Sequence, residues 1–164
     1  MHNFRFLTIL LITTTLSLSG FAEDLPGTGE DEGKTIIYRD TWGIPHIYAP
    51  SDTEGLYAQG YAMAEDRPQQ LLLNLLAGVG QLSMIAGPDA INNDLRSAMF
   101  DHYGVARRRY EEISPKVREH LEAMAAGMNH FYDESDKTPA WWKGRKVDAY
   151  MLIAFGRLFL YNWS

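Results

Sequence analysis

The sequence predicts a mostly helical α+β fold opened by a β-hairpin. Three patterns predict it: two β-branched and aromatic runs on either side of a short loop near residue 40, long apolar-periodic stretches after residue 50, and serine-initiated helix starts at two of those stretches. With 164 residues, 46% of them hydrophobic and 22% charged, the chain has apolar material for one compact domain and little room for two. The formal charge is -6 and the basic residues are scattered apart from Arg107, Arg108 and Arg109, which argues against a nucleic-acid partner. Cysteine is absent, excluding disulfide frameworks, thiolate zinc sites and cysteine nucleophiles together.

In chain order, residues 1–22 read as a cleaved signal peptide. Arg5 supplies the positive start, Phe6 to Leu18 the apolar run, and Gly20 and Ala22 the small residues of a cleavage site after Ala22. The apolar run is too short and too diluted by hydroxyls for a membrane span, so the expectation is a periplasmic or secreted protein with no membrane contact after cleavage. Residues 23–34, rich in Gly, Asp and Glu, read as a flexible leader, and residues 35–164 as the folded region.

Thr35 to Arg39 and Ile44 to Ala49 form the predicted hairpin around Asp40-Thr41-Trp42-Gly43, with Pro45 placed where the ladder needs no donor. Ser51 and Glu54 make a capping-box pattern opening a helix from Thr53 to about Ala77, which Pro68 should kink or restart. Gly78, Gly80, Gly87 and Pro88 mark irregular chain around a short helix at Gln81 to Ile85. Ser114-Pro115 starts an amphipathic helix carrying Val117, Leu121, Met124, Met128 and Phe131. Its opposite face, Lys116, Arg118, Glu119, Glu122 and Asn129, reads as solvated. After a polar turn from Asp133 to Pro139, Val147 to Trp163 is apolar nearly all round and should be buried on every side.

Bottom-up chemistry in these elements is sparse. Gly78-Val79-Gly80 lacks a preceding strand and a following Lys-Ser/Thr, so it is a turn rather than a phosphate loop. His46, His102, His120 and His130 show no metal-ligand spacing, and no metal site is expected. Arg39, Asp40, His46, Asp66 and Arg67 read as structural: turn closure, ion pairing and capping at the helix junction.

The run Tyr38-Arg39-Asp40-Thr41-Trp42-Gly43-Ile44-Pro45-His46-Ile47-Tyr48-Ala49 strongly resembles the opening of the penicillin acylase (penicillin amidase) family of N-terminal nucleophile hydrolases. Further blocks follow in family order: Gly60 to Arg67, Asp94-Leu95-Arg96, Ala125-Ala126-Gly127-Met128-Asn129, and Pro139-Ala140-Trp141-Trp142 with Asp148. Pro68 departs from the apolar residue common in the family. The resemblance implies the mostly helical α-chain portion of an αββα fold, incomplete at its C-terminal end.

The resemblance further implies an exported precursor that cuts itself into a heterodimer and hydrolyses the amide between an apolar acyl group and an amine, of β-lactam, acyl-homoserine lactone or lipopeptide type. The nucleophile, an N-terminal Ser of the β chain, is expected beyond Ser164, so this chain holds no catalytic residue and is expected to be inactive alone. Its implied partners are the β chain of the same precursor and a small acyl-amide substrate. No catalytic cofactor is implied, and a structural Ca2+ would take ligands outside this chain. Aligned from Asp148 without gaps, Leu158, Tyr161 and Asn162 fall at the family's acyl-pocket positions; Leu158 and Tyr161 are equally readable as core of an apolar helix. The alternative function is a non-catalytic remnant acting as an exported helical binding or interaction module.

Overall fold

The computed structural model describes residues 31–162; the predicted signal peptide, the predicted leader up to Glu30, Trp163 and Ser164 lie outside them. Strands β1 (Ile36–Arg39) and β2 (Pro45–Tyr48) pair antiparallel, with Ile36 opposite Tyr48 and Arg39 opposite Pro45. The loop between them is built on Asp40, whose Oδ1 accepts from the backbone N–H of Trp42 and of Ile44, each at 2.9 Å. Gly43 supplies the positive φ of 80° that closes it. Pro45 opens the second strand at the ladder's end, where its missing donor costs little.

Helix α1 (Asp52–Asp66) starts at Ser51, whose hydroxyl accepts from Glu54 N–H. The Glu54 carboxylate accepts from that same hydroxyl at 3.0 Å, a variant of the capping box. Arg67, at φ -141°, breaks the helix, and Pro68 restarts it as the first residue of α2 (Pro68–Val79). Leu71, Leu72, Leu75 and Leu76 of α2 are buried and lead the core, at roughly 1.5–3 kcal/mol of transfer free energy each. They pack with Met128, Phe131 and Tyr132 of α6 (Pro115–Glu134), with Trp142, and with Met151 of α7 (Ala149–Asn162). The remaining helices, α3 (Ser83–Ala86), α4 (Ile91–Met99) and α5 (His102–Arg108), connect α2 to α6.

Glycines let the main helices touch backbone to backbone. A Cβ at Gly60 of α1 would stand 2.1 Å from the Met124 carbonyl oxygen of α6, and one at Gly127 of α6 would stand 1.9 Å from the Tyr57 oxygen of α1. The two glycines thus form a reciprocal crossing that no side chain fits. Gly78 does the same for α2 and α7, where a Cβ would come within 2.7 Å of the Phe155 nitrogen. This corrects the expectation that Gly78 marks irregular chain: it lies inside α2, and the chain turns only at Gly80.

Two other expectations are revised. Asn129 is not on a solvated face; its Nδ2 donates to the Val147 carbonyl and its Oδ1 accepts from Val147 N–H, both at 2.8 Å. Glu122 stays exposed as expected, and accepts from the Tyr110 hydroxyl at 2.8 Å. The α7 helix is covered on one face only, through Met151, Ala154 and Leu158, while Phe159, Leu160 and Tyr161 are exposed.

Candidate functional site

The predicted acyl-binding residues sit on the last two turns of α7. Asp148 starts this helix, its Oδ1 accepting from Met151 N–H at 2.8 Å and its Oδ2 from the Tyr103 hydroxyl at 2.8 Å. Burial and that bond raise the Tyr103 pKa to about 12, so the phenol stays a donor. With the start fixed, the i, i+3, i+4 spacing sends Leu158, Tyr161 and Asn162 to one side of the helix. Leu158 is buried in the body, whereas Tyr161 and Asn162, one turn on, are exposed. The structure therefore places one of the three in the core and two at a surface.

Tyr161 does not stand alone there. Its ring lies 4.2 Å from that of Phe100, which stacks on His102 at 5.8 Å and 21°; His102 is 6.3 Å from Tyr161. Asp101 brings Phe100 and His102 together: it takes a left-handed conformation (φ 44°), caps α5 by accepting from Gly104 N–H at 3.2 Å, and pairs with Arg108 at 2.8 Å. His102 is buried, and neither of its ring nitrogens has a hydrogen-bond partner among the described residues. Burial first, then the Arg157 charge, holds its pKa below the usual histidine value against the opposing pull of Asp101. Neither residue is legible as a site from the sequence: His102 shows no metal-ligand spacing, and a single aromatic before Asp-His carries no periodic signal.

The structurally read cluster holds hairpin to helix. Arg39 Nη2 binds Glu65 Oε2 at 2.5 Å and Asp66 Oδ1 at 2.8 Å, and Nη1 donates to the Gly43 carbonyl at 2.9 Å. His46 Nε2 lies 3.3 Å from Asp40 Oδ2. Arg67 donates to Gln70 Oε1 at 3.1 Å and its backbone N–H closes α1 on the Met63 carbonyl.

Beneath the hairpin, between α1 and α6, lies a largely apolar cavity of about 510 Å³ walled by Ile37, Tyr57, Ala58, Tyr61, Ala123 and His130. At its edge Tyr57 Oη and His130 Nδ1 are 2.6 Å apart, and His130 Nε2 pairs with Glu134 at 3.0 Å. Among the described residues, no three His, Cys, Asp or Glu side chains converge into a group that could hold a metal ion. Among the same residues no helix is long and apolar enough to cross a membrane.

A sequence profile of the penicillin amidase family matches residues 34–157. The penicillin acylase 2 proenzyme of Pseudomonas sp. (strain SE83) is 32% identical over 95 residues, 58% of this chain and 12% of that protein. The penicillin G acylase of Escherichia coli is 30% identical over 118 residues, 70% of this chain and 14% of that protein. An acyl-homoserine lactone acylase of Pseudomonas syringae pv. syringae, QuiP, is 29% identical over 134 residues, 81% and 15% respectively. The structure of a thermostable penicillin G acylase from Alcaligenes faecalis superposes with a TM-score of 0.67 at 20% identity, over 79% of this chain and 73% of that one. The chain thus spans 12 to 15% of the length of these curated relatives.

Proposed function

The chain belongs to the penicillin amidase family, and from that membership we propose that it is the α-chain portion of an exported acylase hydrolysing the amide between an apolar acyl group and an amine. The observation that carries this reading is the family match across residues 34–157, nearly the whole folded region. In this reading a second chain from the same precursor supplies the nucleophile, a serine at its N-terminus. Its hydroxyl attacks the acyl carbonyl, and its own α-amine takes the proton, because an α-amino group with a pKa of about 7.7 to 8.0 keeps a useful free-base fraction near neutral pH, where a side-chain amine stays charged.

This chain's part is the scaffold and one wall of the acyl pocket. Leu158 closes the base of that wall, and Tyr161, steadied by the Phe100 ring at 4.2 Å, presents an aromatic face to the acyl group. Asn162 presents an amide beside it. An apolar group leaving water against such a surface gains about 25 cal/mol per Å² of apolar area buried, which favours phenyl or alkyl acyl groups over charged ones.

The test is turnover of chromogenic phenylacetyl and long-chain acyl amides by the purified chain alone and by the product of the complete reading frame. Hydrolysis by the second and none by the first is expected. Turnover by the isolated chain would sink the reading, since its described residues would then have to supply the nucleophile themselves.

A further inference from the structure

The seam between α5 and α7 holds a surplus positive charge. Ile153 and Arg157 stand one turn apart on α7, and Val105 and Arg109 follow the same four-residue step along α5 to its C-terminal cap. Together with Ala106, Ile113 and Glu112 they wall a cavity of about 280 Å³. The acids near it are already taken. Arg109 Nε and Nη2 donate to Glu112 Oε2 at 2.9 and 2.7 Å, and Arg108 pairs at 2.8 Å with Asp101, the carboxylate that also feels the Arg157 charge. Arg157 is left without a hydrogen bond or ion pair to any described residue, and its Nε is buried with no partner. The same charge reaches the buried His102 ring of α5, whose two nitrogens are also without partners, and helps hold its pKa down.

Desolvating a guanidinium is costly unless an anion pairs with it, and a buried donor that the chain leaves unsatisfied calls for a partner from outside. We propose that this seam binds a small carboxylate with an apolar tail, the carboxylate received by Arg157 and the tail laid on Val105, Ala106, Ile113 and Ile153. Three features select that chemistry. The planar guanidinium matches a carboxylate with two parallel hydrogen bonds. The aliphatic side chains around it give an anion with a tail an advantage over a bare ion, because only the tail removes them from water. Glu112 stands in the same wall, so a second negative charge on the ligand is repelled and a monoanion is favoured over phosphate. Size narrows the class further: about 280 Å³ is at the small end of ligand pockets, roughly 300–1,000 Å³, which suits one ring or a short alkyl chain. The site is formed by this chain's own residues and does not depend on the acylase reading.

The test is calorimetric titration of the 164-residue chain at neutral pH with hexanoate, and with hexanamide, acetate and inorganic phosphate as controls. Hexanoate should saturate one site, and each control should bind about tenfold more weakly or worse. Arg157→Gln should weaken hexanoate by about tenfold or more and leave hexanamide unchanged, with Arg157→Lys, which keeps the charge and loses the fork, in between. Thermal midpoints check that the variants fold. Should Arg157→Gln not fold, the wild-type chain still carries the test through His102: hexanoate neutralises Arg157, so the His102 ring should titrate at higher pH by NMR when hexanoate is bound, and hexanamide should not move it. Hexanoate binding within threefold of wild type in a folded Arg157→Gln chain overturns the proposal. So does acetate or phosphate binding as tightly as hexanoate, a His102 titration that hexanoate leaves unmoved, or no saturable binding of hexanoate to the wild-type chain.

Discussion

Asn129 shows how a residue's chemistry can hide behind its position. On the helical wheel it falls with Lys116, Glu119 and Glu122 on the polar side of α6, yet its amide pairs with both backbone groups of buried Val147. Periodicity separates polar from apolar but does not distinguish water from a backbone partner. Replacing Asn129 by Ala removes two bonds and strands the Val147 groups, so urea denaturation should register a loss of about 2–4 kcal/mol. His102 is the opposite case, a buried ring with no partner among the described residues. Its pKa is lowered in the fold, so below about 6.5 the unfolded chain takes up a proton that the native chain refuses. Its contribution to stability is therefore flat above that pH and falls as pH drops toward the folded pKa. His102→Phe should flatten this limb in urea midpoints taken from pH 5 to pH 8, and at pH 7 leave stability equal or higher by about 1 kcal/mol. An unchanged acid slope would count against this account of His102.

Elements with their own start signals were readable and those without were not. The hairpin, the Ser51 and Ser114 helix starts and the Pro68 restart all stand where local chemistry puts them, because each depends on one or two side chains acting within a turn. Between Pro88 and Ser114 the sequence patterns assigned no element, yet α4 and α5 fill most of it. The reason for α4 is physical: its apolar arc is turned outward and its polar arc bonds backbone, inverting the pattern by which helices are recognised. The glycines carry the other element-scale lesson. Gly78 looks like a break in a helical pattern, but like Gly60 and Gly127 it is a point where two helix backbones meet. Gly127→Ala should cost about 3 kcal/mol by forcing α1 and α6 apart. Gly156→Ala, at an exposed α7 position with nothing within 4 Å of the added methyl, should gain about 0.5–1 kcal/mol. Thermal midpoints moving the same way for both would contradict the packing account.

At the scale of the molecule, the all-round apolar character of residues 147–163 and the covering of α7 on one face describe the same fact from two sides. The sequence supplies more apolar helix than the described residues bury, with Phe159 and Leu160 exposed. The placement of Leu158, Tyr161 and Asn162 on one side of α7 was legible because Asp148 fixes where that helix begins and helix geometry does the rest. The contact of Tyr161 with Phe100 was not, since it joins residues 61 positions apart through the left-handed turn at Asp101. In the proposed reading, a second chain covers the exposed side of α7. The most direct measurement is the intact mass and N-terminal sequence of the polypeptides produced from the complete reading frame. The account predicts two chains, the second beginning with serine, with amide turnover confined to the pair. A single uncut chain, or a second chain beginning with a residue lacking a hydroxyl or thiol, would contradict it.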